Sequence, residues 1–178
     1  KTVRSNIYML PDRGRFVESV YIPTDDRATL CVSSQVGCKM NCLFCMTGKQ
    51  GFTANLTANQ ILNQIQSLPE NDSLTNIVFM GMGEPLDNVD ELFKVLEITH
   101  GPVWICVEPE AYHGFNHRCD ERLKRFLEES ECHLAVSLHS PYPMERLSLM
   151  PVEKAFPARE VIDLIKQYDF FASTTCLF

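Results

Sequence analysis

Apolar and polar positions follow two different periods along this chain. From Phe16 to Ile22 and from Thr29 to Ser33 the residues are β-branched and aromatic in short runs. Pro23-Thr24-Asp25-Asp26 between them has turn chemistry, so the pattern predicts a β-hairpin. Residues 35–52 read as a loop that carries several cysteines. Beyond it the period becomes helical. Thr57 and Gln60 have the spacing of a capping box, and Ile61, Leu62, Ile65 and Leu68 recur on one face. Asn76 to Met80 is a short apolar run, expected as a strand buried on both faces. Gly81-Met82-Gly83-Glu84-Pro85 ends it. A second helix is expected from Asn88, with Leu92, Val95 and Leu96 on one side, and another over residues 121–129. A strand is expected at residues 133–138. Pro157 opens a last helix through Ile162, Ile165 and Tyr168, since proline suits a first helical turn. This alternation from about Asn55 onward predicts βαβ units and a parallel sheet.

The 178 residues, 45% of them hydrophobic, suffice for one domain with a sizeable core. No apolar run approaches the roughly 20 residues that span a bilayer. Lys1-Thr2-Val3-Arg4-Ser5-Asn6 has no signal-peptide character, so a soluble, cytoplasmic protein without membrane contact is expected. The formal charge of −7 argues against an extended nucleic-acid footprint. Arg4, Arg13 and Arg15 form a candidate basic cluster, with a solvated surface as the competing reading.

Eight cysteines without a secretory signal point to metal ligands or catalytic thiols rather than disulfides. Cys38-Lys39-Met40-Asn41-Cys42-Leu43-Phe44-Cys45 places three thiolates within eight residues. Three such ligands can hold a four-iron cubane and leave one iron open. The open iron can chelate the amino and carboxylate groups of S-adenosylmethionine (SAM). The competing reading is a zinc site with a borrowed fourth ligand, but no second Cys-x-x-Cys knuckle is present. Phe44 could pack over an adenine or serve core packing alone.

Cys31-Val32-Ser33-Ser34-Gln35-Val36-Gly37-Cys38, the cysteine triplet and Met80-Gly81-Met82-Gly83-Glu84-Pro85 together resemble the radical SAM adenosine C2 methyltransferases of 23S ribosomal RNA. Some members of that family also modify transfer RNA. The resemblance runs from about Val17 to Tyr168, with one interruption. It implies an α/β fold, a partial (βα) barrel of the radical SAM type preceded by a β-hairpin and incomplete at both ends. Residues 1–34 would be the hairpin lead-in and residues 35–170 the radical SAM core. The implied cofactors are a 4Fe–4S cluster on Cys38, Cys42 and Cys45, and SAM. Gly83 and Glu84 would take the SAM amino group. Ser137-Leu138-His139 matches a strand-end segment that contacts SAM, and Phe44 would belong to the same site. Glu18 matches a proton acceptor and Cys31 a catalytic thiol that resolves a protein–RNA adduct. The family carries the methyl group on a cysteine near its C-terminus, which this chain is expected to lack. Implied partners are 23S rRNA, tRNA and an electron donor such as flavodoxin. Two alternatives stay open: a zinc-dependent nucleic-acid-binding module, and a radical SAM enzyme with another substrate.

The resemblance breaks where the family has a strand of the type Arg-Ile-Thr-Val-Ser-Thr-x-Gly. Here residues 104–119 have no clear period and mix His, Cys and Pro. A permitted codon set for these residues, read from its second base, encodes Arg-Ile-Thr-Val-Ser-Thr-Thr-Gly. The tail from Phe171 shifts likewise to a stretch containing Arg-Arg. Residues 101–120 and 171–178 are therefore expected to be out-of-frame translation. Cys106, His113, His117, Cys119 and Cys176 would then be accidental. A central strand would be lost, Pro109 would remove a ladder donor, and the chain should fold poorly or be inactive.

Overall fold

The computed structural model describes residues 2–10, 14–99, 103–107, 118–154, 157–168 and 176–177. Among them the strands are β1 (Arg4–Met9), β2 (Phe16–Pro23), β3 (Ala28–Cys31), β4 (Gln35–Gly37), β5 (Phe52–Asn55), β6 (Asn76–Phe79), β7 (Val103–Val107), β8 (His133–Val136) and β9 (Cys176–Leu177). The α-helices are α1 (Met46–Gln50), α2 (Ala58–Gln66), α3 (Val89–Ile98), α4 (Arg118–Glu129), α5 (Pro143–Leu149) and α6 (Ala158–Ile165).

Seven strands form one sheet in the order β1-β2-β3-β6-β7-β8-β9. β1, β2 and β3 pair antiparallel, and every neighbour from β3 to β9 is parallel. β4 and β5 make a separate antiparallel pair. The fold is α/β. Helices α2, α3, α4 and α6 lie on the sheet and share its core. Ile61, Leu92, Phe126 and Val161 pack in the same cluster as Val17, Leu30, Ile105 and Leu134. Each such side chain contributes about 1.5–3 kcal/mol by leaving water.

Local signals place the helices as the sequence suggests. Thr57 caps α2 in a full capping box: Gln60 N–H donates to its hydroxyl, and Thr57 N–H donates to the Gln60 side chain. Asn88 stands at the N-cap of α3, with Asp90 and Glu91 in its first turn. Pro157 stands at the N-cap of α6. The expected hairpin is the β2–β3 pair, but it is built into the main sheet rather than standing before it.

Several expectations change. β1 adds an edge strand that the periodicity did not reveal; Tyr8 anchors it by donating from its hydroxyl to the Gln64 carbonyl. The run from Asn76 is not buried on both faces. Within β6 only Phe79 is buried, and Met80 after it is exposed. The cysteine segment is not all loop: β4, β5 and α1 frame it. Arg4 meets Glu70 in an ion pair and its guanidinium lies over Tyr21, while Arg13 lies outside the described residues.

The largest difference falls at residues 103–107. The structure places β7 there, between β6 and β8 in parallel register. Val103 and Ile105 are buried. Val-Trp-Ile-Cys-Val is apolar at every position, as suits a strand inside a parallel sheet, and such a run shows no alternation to read. A central strand is thus present. Pro109, His113 and His117 lie outside the described residues, as do the side chains of Cys106, Cys119 and Cys176.

Candidate active site

The carboxyl ends of β3, β6 and β8 deliver the predicted residues to one edge of the sheet, where α/β folds place their sites. β3 ends at Cys31, β6 runs into Met80-Gly81-Met82-Gly83-Glu84, and β8 runs into Ser137-Leu138-His139. The first two ends are sewn together. Val32 N–H donates to Val78 O, Gly81 N–H to Val32 O, and Ser34 N–H to Met82 O. Ser33 Oγ donates to the Glu18 carbonyl at 2.6 Å and accepts from Met82 N–H at 2.9 Å.

The cysteine loop closes on itself beside this edge. Cys38 and Cys42 are buried with Met40 and Met150, and Cys45 packs against them half-buried. Cys38 N–H donates to Gly51 O, and Cys45 N–H to Cys42 O. Leu43 N–H donates to Leu149 O, which ties the loop to the end of α5. None of the three thiols is in a disulfide.

Gly83 has φ +96°, and a Cβ there would sit 2.5 Å from Gln35 Cβ. Only glycine fits that turn. Glu84 follows, almost fully buried, and one of its carboxylate oxygens accepts from Leu86 N–H at 3.2 Å.

On the other side of β3, Glu18 is exposed and Cys31 is buried. Burial pushes the Cys31 thiol up from its ordinary pKa, the Met80 N–H opposes that, and the nearby Glu18 charge adds to it.

Beyond β8, Ser137 is buried, Leu138 is half-buried and His139 is exposed with φ +53°, a left-handed conformation. The His139 ring meets the Phe44 ring with centroids 4.4 Å apart. Phe44 is 48% exposed, so core packing does not explain it. A buried ion pair holds this end in place. Arg146 Nε donates to Glu153 Oε2 at 2.7 Å, while Arg146 Nη1 donates to the Ser137 carbonyl at 2.9 Å and to that of Leu138.

The family model of the radical SAM superfamily matches residues 32–178. The chain belongs to the radical SAM superfamily.

The chain is 86% identical over 157 residues to a probable dual-specificity RNA methyltransferase RlmN of Parabacteroides distasonis, covering 88% of this chain and 46% of that protein. It is 62% identical to the corresponding RlmN of Bacteroides fragilis, covering 92% of this chain and 47% of the relative. It superposes on a crystal structure of a radical SAM methyltransferase from Sphaerobacter thermophilus with a TM-score of 0.85 at 30% identity, covering 98% of this chain and 53% of the other. The chain thus spans about half the length of the curated relatives it matches.

The radical SAM family uses a 4Fe–4S cluster and SAM. The donor set here fits such a cluster: three thiols outside any disulfide, gathered in one sheltered group with two methionines. Among the described residues, no three or more His, Cys, Asp or Glu side chains are placed to hold a single metal ion.

Sequence reasoning missed several residues that hold this candidate site together. Gln64 is fully buried on α2; its side chain accepts from Ser33 N–H and donates to Ser33 O, each at 2.9 Å. A glutamine on the apolar stripe of Ile61, Ile65 and Leu68 was the available signal. Gln35 and Asp87 had none, because their side-chain partners are 20 or more positions away, and the Arg146–Glu153 pair joins α5 to residues beyond its end, where no single period applies.

Proposed function

We propose that this chain is the cofactor-binding portion of a radical SAM RNA methyltransferase acting at C2 of adenosine in 23S rRNA and in tRNA. The observation that carries the reading is the meeting of three elements at one sheet edge: the Cys-x-x-x-Cys-x-x-Cys loop, the Gly83–Glu84 turn and the Ser137–His139 strand end. The printed names of the RlmN relatives support RNA as substrate.

Cys38, Cys42 and Cys45 would hold the cluster. When bound, the cluster and SAM supply one-electron chemistry able to abstract hydrogen from an unreactive C–H bond. Glu84 suits the SAM ammonium, since a carboxylate close to an N⁺–H donor forms the stronger, charge-assisted kind of hydrogen bond. Gly83 lets backbone approach the same group. Ser137, Leu138 and His139 present a strand end to SAM, and Phe44, against His139, offers an aromatic wall for its adenine. Glu18 would accept a proton from the methylated adenine, and Cys31 would resolve the adduct between protein and RNA. Adenine C2 is a poor nucleophile, which is why polar methyl transfer would not serve. An electron donor of the flavodoxin type and a cytoplasmic setting complete the reading. Among the described residues, no helix is long and apolar enough to cross a membrane.

Anaerobic reconstitution with ferrous iron and sulfide tests the reading. The expected product is brown and holds about four irons per chain. A colourless protein that retains zinc tightly and takes up no iron–sulfur cluster overturns it in favour of a zinc-dependent binding module.

A further inference from the structure

Gln35 is fully buried at the crossing of four segments. Its Oε1 accepts from Glu84 N–H at 2.9 Å. Its Nε2 donates to Asn55 Oδ1 at 2.8 Å and to Asp87 Oδ2 at 2.8 Å. Its own N–H donates to Met82 O at 3.1 Å. Only this amide orientation satisfies all the side-chain partners, because one faces an N–H and two face acceptor oxygens.

Asp87 extends the connection. Its side chain is only 6% exposed. Lys39 Nζ, beside Cys38, donates to Oδ2 at 2.7 Å, and Arg122 Nη1 of α4 donates to Oδ1 at 3.2 Å. One unbroken route therefore runs from the residue beside the first cysteine, through Asp87 and Gln35, to the backbone of Glu84. No slack exists at the far end, since Gly83 packs so closely on Gln35 that a Cβ would sit 2.7 Å from Cγ.

We propose that Gln35 is a positioning residue that, with Asp87, sets the Gly83–Glu84 turn at a fixed offset from the cysteine loop. This rests on the reading of that turn as the SAM amino-group site. SAM must reach the open iron and the turn at once, so an error in their separation weakens the chelate without removing the cluster. Gln35 and Asp87 would act through Lys39 and Glu84, their partners in the structure, rather than as cofactor ligands.

The test is a reciprocal exchange. Gln35→Glu keeps the volume and the acceptor for Glu84 N–H, but sets a carboxylate against Asp87 and removes the donor. Adding Asp87→Asn restores one donor–acceptor pair in the opposite sense, keeps the net charge, and leaves a carboxylate near Lys39; Asn55 can turn its amide to donate. The measurements are iron and sulfide content, melting temperature, and SAM affinity of the anaerobically reconstituted chain. Gln35→Glu is expected to keep its iron and bind SAM about tenfold more weakly, the loss of a hydrogen bond to a charged group. The double variant is expected to recover to within about threefold of the parent.

Unchanged SAM affinity in Gln35→Glu overturns the proposal. So does a loss that tracks iron content and melting temperature and is not recovered by the exchange, which is the behaviour of a merely structural residue. Should Gln35→Glu fail to fold, Lys39→Met tests the same route: about threefold weaker SAM binding at unchanged iron supports it, and unchanged affinity overturns it. A parent chain that takes up the cluster yet binds no SAM overturns the assignment of the turn instead.

Discussion

Glu18 and Cys31 stand on the same face of the β2–β3 ladder, one diagonal step apart. Cys31 lies opposite Val20, and Glu18 precedes Val20 by two residues. Diagonal neighbours of this kind are about 7–8 Å apart, within reach of a charge effect. The two residues that the family resemblance assigns to proton transfer and thiol chemistry are thus brought together by hairpin register alone.

The Cys31 thiol is raised by burial first and by the Glu18 carboxylate as well, so it stays protonated to higher pH than an ordinary cysteine. Replacing Glu18 with Gln removes a negative charge that opposes the thiolate. Alkylation of Cys31 by iodoacetamide at pH 8, followed by peptide mass spectrometry, should quicken by about threefold. A rate that is unchanged or slower speaks against the proximity. Cys132, pushed up to about 11 by burial and then by Glu131, should label slowly in both proteins and serve as the internal reference.

Gly83→Ala should be among the costliest single substitutions in the site. The backbone is left-handed there and the new methyl would collide with Gln35. A loss of about 2 kcal/mol or more is expected in urea unfolding, together with weaker SAM binding. Stability within 0.5 kcal/mol or so of the parent would contradict the geometry.

Arg146→Met should destabilise by about 3–5 kcal/mol, because Glu153 is left as a buried charge without its partner. Arg146→Met combined with Glu153→Leu should recover part of that. Recovery stays incomplete, since Glu153 also accepts from Ala158 N–H at the start of α6, and Arg146 also binds the carbonyls of Ser137 and Leu138. Chemical denaturation of the three variants gives the comparison, and additive losses in the double variant would refute the coupling.

The N-terminus of α2 offers a milder test with a pH signature. Thr57→Ala should cost about 1 kcal/mol by opening the capping box. Glu91 also serves that terminus by accepting from Ala58 N–H at 2.6 Å. Its pKa is lowered, by the Lys94 hydrogen bond first and the Ala58 N–H second. A lowered folded-state pKa gives stability that is present above the ordinary carboxylate range and disappears as pH falls through the folded value. The stability gap between the parent and Glu91→Gln should therefore be visible near neutrality and close in acid. A gap that widens on acidification would reverse the sign and refute the assignment.

Residues 101–120 and 171–178 carry the prediction of a shifted reading frame. Raw nucleotide reads across these codons should show a base gained or lost near each boundary, and restoring the frame should yield the family's Ser/Thr-containing strand. Unbroken, verified reads reject the idea. As the chain reads, β7 fills the position between β6 and β8, with Val103 and Ile105 buried.

The sequence by itself determined the chemistry and the local elements. Three cysteines at that spacing point to an iron–sulfur ligand set, Thr57 with Gln60 specifies a helix start, and the Pro23–Asp26 turn specifies a hairpin, since each depends on residues within a few positions of one another. Tertiary structure alone decided that β6 lies between β3 and β7, that Gln35 meets Asp87 across 52 positions, and that Arg146 closes on Glu153 and the end of β8. Those contacts follow from the order of strands in the sheet and from the need to satisfy every polar group buried beneath it. No local period records either of these.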